Sequence, residues 1–525
     1  MPLTLKTPGV YIEEKNAFPN SIVALPTAVP AFIGYTERAD LANGKSAIKK
    51  PIKIKSMSEY FAYFGGDIET KYELTQGSVD DFAVKVGEAG NEAYYKVEPV
   101  ANTQGLLYNS IRLFYQNGGG SAFIISVGKY SDIEAKGIES GELKKAIDLL
   151  KREQEPTMLL IPDALLLDAG VPATEPKANY MSVCQAMLKH CGSEMRSRVA
   201  LFDVHAGYEK FSAETPVIKA FRETVVNDLD FGIAYYPWVH TTVVEETEIN
   251  YLNFAKLADL QQLLKDALLE SMPGTEQEAV DKRAEIEDEI DKLDPFEGES
   301  EANRTRKVNT AHQTMKAISG VYKDLLKEVR EQRNLLPVAP AMAGVYTMVD
   351  NSRGVWKAPA NVGLNSVVAP SVSITNEEQE DLNVTLTGKS VNAIRSFVGE
   401  GVKVWGARTL DGNSQDWRYI NVRRTLIFIE QSVKAAAKAY VFEPNDSNTW
   451  ILLKGMLNNF LNNLWKQGAL AGASPGEAFN VSVGLGATMT PVDILDGIMR
   501  INVKVAITRP AEFIVITFQQ KMQES

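Results

Sequence analysis

Apolar positions along this chain follow two periods, and their alternation divides the sequence. Short apolar runs at 31–35, 122–127, 158–161, 199–204 and 231–236, each bounded by turn residues, predict buried strands. Between them, 143–151 and 178–191 carry apolar residues at helical spacing. Strands alternating with helices predict an α/β domain with a largely parallel sheet. Residues 40–100 are polar and irregular and read as a surface insertion. From 246 to 335 the pattern turns helical. Leu257, Leu260, Leu264 and Leu268 form one face, and Met315, Ile318, Tyr322, Leu325 and Val329 form another, which predicts a helical hairpin around the intervening acidic segment. Met272-Pro273-Gly274 interrupts the repeat and argues against a long coiled coil.

The densest pattern lies at 442–479. Pro444 breaks the preceding element, because it lacks an amide donor and disfavours a helical residue before it. Asp446 or Ser447 can then cap a helix on which Trp450, Leu453, Leu457, Phe460 and Leu464 share one face. That helix should end near Gln467 and Gly468, ahead of a tight turn at 472–476. Upstream, 402–405 and 419–422 read as strands. Val422, Leu426, Ile429, Val433, Ala436 and Tyr440 make a second helical stripe. Both helices should pack on a sheet supplied by 479–483, 500–507 and 512–518, with Val503, Val505 and Ile507 on one face. At the other end of the chain, Val10 and Ile12 point one way and Tyr11 and Glu13 the other. This strand has no hairpin partner in the turn-rich 16–21, so it can return to its own domain or add to the sheet edge of another subunit.

Composition narrows the function. The 525 residues, 45% hydrophobic and 23% charged, suit a globular protein of about three domains. No uninterrupted apolar run is long enough to cross a bilayer, and the N-terminal residues lack a signal-peptide core, which predicts cytosolic synthesis. Cys184 and Cys191 fall on an apolar helical face with Met187 and Leu188 and read as buried free thiols. His190 and Cys191 lack the spacing of a metal site. The net charge of -12 is concentrated at 275–303, where twelve acidic residues oppose Lys282, Arg283 and Lys292 for a local -9. We read this segment as a solvated helical face, and the balance gives a nucleic-acid partner no support. Asn117-Gly118-Gly119-Gly120 has no Gly-Lys-Ser/Thr ending and leads into a strand, so it is not a phosphate loop. Asp163, Asp203 and His205 lie at predicted strand ends without a nucleophile motif and read as capping and surface residues.

Several segments, taken in order, resemble the contractile tail sheath proteins of bacteriophages, R-type bacteriocins and related contractile injection systems. They are TPGVYIEE from Thr7, PTAVPAFIGYTERA from Pro26, NGGGSAFIISV from Asn117, MLLIPDA from Met158, YINVRRTLIFIEQSV from Tyr419, VFEPND from Val441, LWKQGALAGASPGEAF from Leu464 and RPAEFIV from Arg509. The resemblance implies an N-terminal linker arm at 1–20, and an outer α/β domain at 21–365, subtilisin-like in fold but non-catalytic, with insertions at 40–110 and 245–335. A C-terminal α+β inner domain at 366–525 completes the chain. It further implies that strand arms pass between subunits, with Val10, Tyr11, Ile12 and Glu13 in one arm and Glu512, Phe513, Ile514 and Val515 in the other. A helix of the inner domain is implied to face a rigid tube, and Lys434 and Lys438 are the candidate contacts. The implied partners are further copies of the chain, an inner tube protein, and baseplate and terminal cap proteins, with no cofactor, metal, nucleic acid or membrane insertion. The implied location is the bacterial cytoplasm during assembly, and then a phage tail or injection particle. Two other classes are an α/β hydrolase and a surface adhesin of such a particle. The four histidines, His190, His205, His240 and His312, lack a motif partner for the first, and the second has no need of two strand arms.

Overall fold

The computed structural model describes residues 22–516 apart from 42, 80–82, 88–91, 173, 174, 176, 211–215 and 273. Its chain forms two compact units, one of residues 26–424 and one of the residues up to 25 together with those from 425 onward. The division falls inside the helix Ile420–Ala437.

The larger unit is built on an eight-stranded sheet. Its spatial order is Gly401–Trp405, Asn392–Phe397, Gly232–Tyr236, Val199–Asp203, Met158–Leu160, Pro30–Thr36, Ala122–Lys129 and Ile52–Ile54. The six inner strands run parallel, with Phe32 opposite Ile124 and Leu201 opposite Ile233, and the two outermost strands are antiparallel. Every residue of Pro30–Thr36, Val199–Asp203 and Gly232–Tyr236 is buried. Helices cover parallel sheets on both faces, so such strands read as continuous apolar runs, and this is why they are visible in the sequence. On one face the helices Leu107–Gln116 and Ala339–Arg353 pack together. A Cβ at Gly344 would come within 2.4 Å of the Phe114 carbonyl oxygen, so glycine permits this approach.

The first strand lies between the second and third parallel strands, and the order of the sheet reverses there. Open α/β sheets form a crevice at such a point, beyond the carboxyl ends of the strands. Here Asp163 fills it. Its carboxylate accepts hydrogen bonds from the amides of Tyr35 (2.8 Å), Leu106 (2.8 Å) and Leu107 (3.0 Å), tying the first strand to the start of the helix Leu107–Gln116.

Several expectations are corrected. Residues 40–100 are not only surface, since Ile52–Ile54 joins the main sheet and the helix Met57–Phe64 buries Tyr60 and Phe64 completely. The strands Tyr72–Gln76, Ala93–Pro99 and Val84–Val86 form a separate sheet in that order. Tyr72, Val86 and Val97 of this sheet share a core with Leu264, Leu325 and Val329, so the two stretches read as separate insertions converge in one module. The face of Met315, Ile318, Tyr322, Leu325 and Val329 is divided between Glu301–Ile318 and Gly320–Arg333. Ser319 causes the break, its hydroxyl accepting from the Tyr322 amide at 3.1 Å to cap the second helix. Residues 419–422 are no strand, because Ile420 opens the helix Ile420–Ala437. The compact units divide at 424 and not at 365, because Asn392–Phe397 pairs with Gly232–Tyr236 and carries the chain back into the main sheet.

Candidate assembly surface

The C-terminal unit follows from local signals. Asp446 caps the helix Ser447–Lys466, its Oδ1 accepting from the Thr449 amide at 3.0 Å. Leu453, Leu457, Phe460 and Leu464 are buried, and the Phe460 ring lies 6.1 Å from that of Phe428 on the preceding helix. Trp450 is half-buried, and its indole donates to the Asn445 side chain at 2.8 Å. The helix closes at Gln467, with Gly468 at φ +86 and the Ala469 amide returning to the Leu464 carbonyl.

Against this helix packs an antiparallel pair, Phe479–Val483 and Ile501–Val505, with Val481 opposite Val503. Ile501, Val503 and Val505 are half-buried on one face, and Asn502 and Lys504 are exposed on the other. The pair is a complete two-stranded sheet among the described residues, so both outer edges present unpaired backbone groups. The expected third strand does not join it. Residues 511–516 are not part of a strand, and Phe513, Ile514, Val515 and Ile516 are 70–89% exposed. The N-terminal candidates Val10, Tyr11, Ile12 and Glu13 lie outside the described residues. Lys434 and Lys438 are exposed at the end of the Ile420–Ala437 helix and in the turn that follows.

Residues 413–521 match the family model described as the phage tail sheath C-terminal domain, which spans all of these elements. The chain is 29% identical over 143 residues to the tail sheath protein of Burkholderia phage BcepMu, covering 26% of this chain and 30% of that one. It is 24% identical over 273 residues to the tail sheath protein of Salmonella phage ViI, covering 48% and 43%. These stretches make the chain similar to tail sheath proteins over part of its length. The match to these curated relatives spans less than half their length. Solved structures of sheath subunits align over the whole fold. The sheath of the extracellular contractile injection system PVC, in its contracted state, is 25% identical with a TM-score of 0.56 and 99% of each chain covered. The contracted helical sheath of the anti-feeding prophage is 27% identical with a TM-score of 0.57, covering 99% of this chain and 100% of that one.

The polar residues at the strand ends serve this sheath fold in structural ways. Asp203 accepts from the amides of Val338 (2.7 Å) and Ala339 (2.9 Å) and caps the helix Ala339–Arg353. Burial pushes the carboxyl of Asp163 up to about 6 and that of Asp203 up to about 7. His205 bonds the Leu167 carbonyl, and His190 faces Arg198; burial, followed by the charge of Arg198, lowers His190 to about 4. Cys184 and Cys191 are buried free thiols, pushed by burial up to about 12.

Sequence reasoning missed the anchors of the Ile420–Ala437 helix. Arg423 lies between the rings of Phe231 (4.3 Å) and Trp417 (3.8 Å) and pairs with Asp230. Arg424 binds both oxygens of the buried Asp350 (3.0 and 2.6 Å) and lies over the Tyr346 ring. Two adjacent arginines on an apolar helical stripe were the available signal. Among the described residues, no helix is long and apolar enough to cross a membrane.

Proposed function

We propose that the chain is the structural subunit of a contractile sheath. It polymerises helically around an inner tube and shortens from a metastable extended state, driving the tube through a target envelope. The observation that carries this reading is the open two-stranded sheet beside an exposed apolar tail, inside the region that matches the tail sheath model. Unpaired strand edges attach further strands through main-chain hydrogen bonds, independently of side-chain detail. The arm at 1–20, with Val10, Tyr11, Ile12 and Glu13, and the tail with Glu512, Phe513, Ile514 and Val515 supply strands to sheets of neighbouring copies. Lys434 and Lys438 face the tube. Baseplate and cap proteins bound the polymer, and the outer α/β unit, subtilisin-like by resemblance, has no catalytic part. No nucleotide is needed if the contracted lattice is lower in free energy, because a difference of about a few kcal/mol per subunit sums over the whole polymer.

Negative-stain microscopy of the purified chain tests the reading. Hollow striated cylinders are expected from the full chain. Deleting residues 1–20 should abolish them while circular dichroism and the melting temperature of the monomer stay unchanged. Cylinders of normal length from the truncated chain would refute strand lending by this arm.

A further inference from the structure

The corner between the two C-terminal helices carries a feature that packing within the chain does not explain. Phe442 is fully exposed at 102% of its reference area, and its neighbour Val441 is 59% exposed. Phe442 also has φ +71, a left-handed conformation that bulky side chains rarely adopt. Hydrogen bonds hold it there. The Val441 amide donates to the Lys438 carbonyl at 3.3 Å, and the Glu443 amide to the Tyr440 carbonyl at 3.2 Å. Beyond the corner, Asn445 accepts from the Trp450 indole and donates to the Ile498 carbonyl at 3.1 Å, which ties the corner to the loop joining the two strands. The backbone is therefore fixed in a strained state, and its effect is to project an aromatic ring into solvent. Strain retained at a fixed position, with a side chain poorly suited to it, points to function.

We propose that Phe442 is a plug that seats on an apolar face of a second copy of this chain. The same compact unit displays such a face. Val492 and Leu495 lie one turn apart on the short helix Pro491–Leu495 and are 61% and 85% exposed. A projecting ring and an apolar face carried on every copy make a heterologous contact, the kind that propagates into an open helical polymer. A buried aromatic side chain in a desolvated pocket is a recognised kind of interface anchor. The inference rests on the sheath reading, which places copies side by side, and adds a side-chain contact to the main-chain lending of strands.

The test uses the full chain with p-benzoylphenylalanine at position 442, together with the variant Phe442→Asn. Illumination of assembled cylinders should give covalent dimers and higher multimers of this chain. Asparagine tolerates the left-handed backbone, so Phe442→Asn should leave the melting temperature of the monomer unchanged or raised by up to about 2 °C. The same variant should raise the concentration needed for assembly by about tenfold or more. Crosslinks confined to one chain, or made only to a different protein of the particle, would overturn the proposal. So would assembly of Phe442→Asn at the unsubstituted concentration, while the sheath reading stood. Absence of cylinders from the unsubstituted chain would instead remove the sheath reading and this inference with it.

Discussion

Asp203 offers a measurable link between a strand end and the stability of the larger unit. Its Oδ1 accepts from both Val338 and Ala339, and its Oδ2 accepts from Ala339 at 3.1 Å. Replacement by alanine leaves two buried helix amides without partners, at about 1–3 kcal/mol each. In Asp203→Asn, one carbonyl oxygen can keep both bonds from Oδ1, but the amide nitrogen meets the Ala339 N–H as a second donor. That variant should lose only about 1 kcal/mol at pH 5. The pH dependence is more diagnostic. Burial raises the folded carboxyl to about 7, against about 3.9 in an unfolded chain. A carboxyl raised on folding contributes stability that is complete below the unfolded value and is lost as pH rises through the folded one. Between pH 5 and 6 the unfolded state has released the proton and the folded state has kept it, so this group alone gives a slope of about -1.4 kcal/mol per pH unit. His190, lowered to about 4, acts in the opposite direction as pH falls below about 6.5. The difference between unsubstituted protein and Asp203→Asn cancels that common contribution. Hydrogen exchange of the amides in Ala339–Arg353, measured from pH 5 to 8 and corrected for intrinsic rates, reads it locally. The deficit of Asp203→Asn should shrink as pH rises. A deficit that is constant or grows would refute the assignment of a protonated carboxyl at pH 5–6.

Two further outcomes test the packing. Phe460→Ala removes a ring packed near Phe428 and should cost about 3–5 kcal/mol, read as a lower melting temperature and as loss of cylinders; normal cylinders at 37 °C would contradict the burial. Arg424→Ala leaves Asp350 buried without its bidentate partner and should destabilise by about 3–5 kcal/mol in calorimetry, whereas the exposed Lys434→Ala should change stability by less than about 0.5 kcal/mol.

Legibility in the sequence follows the range of the interactions involved. Val199–Asp203 and Gly232–Tyr236 are legible because both faces are buried and, apart from Asp203 at a strand end, their positions are uncharged and mostly apolar. The cap at Asp446 is legible because its donor is three residues away. The role of Asp163 depends on amides 56 to 128 residues distant, and nothing local signals them beyond a proline after a strand. The three-residue strands Ile52–Ile54 and Val84–Val86 are too short to establish a period, and the partner of Ile52–Ile54, Ala122–Lys129, lies far along the chain. At 419–422, Ile420 and Val422 favour a strand locally, but the helix they open continues to Ala437 and buries Ile427, Phe428 and Ile429. The alternation at 512–516 is visible in the sequence, yet the described residues there form no strand. The candidate tube contacts Lys434 and Lys438 are exposed, but exposure alone does not choose between solvent and a partner.

The open edges of the Phe479–Val483 and Ile501–Val505 pair bear on how growth ends. If each copy lends strands to the next, as proposed, every addition covers one edge and presents an identical one. Such a subunit carries no counter and no terminating surface of its own. Polymers of uniform length would then need a ruler or a stopper made of other molecules, and the purified chain alone should yield cylinders with a broad distribution of lengths.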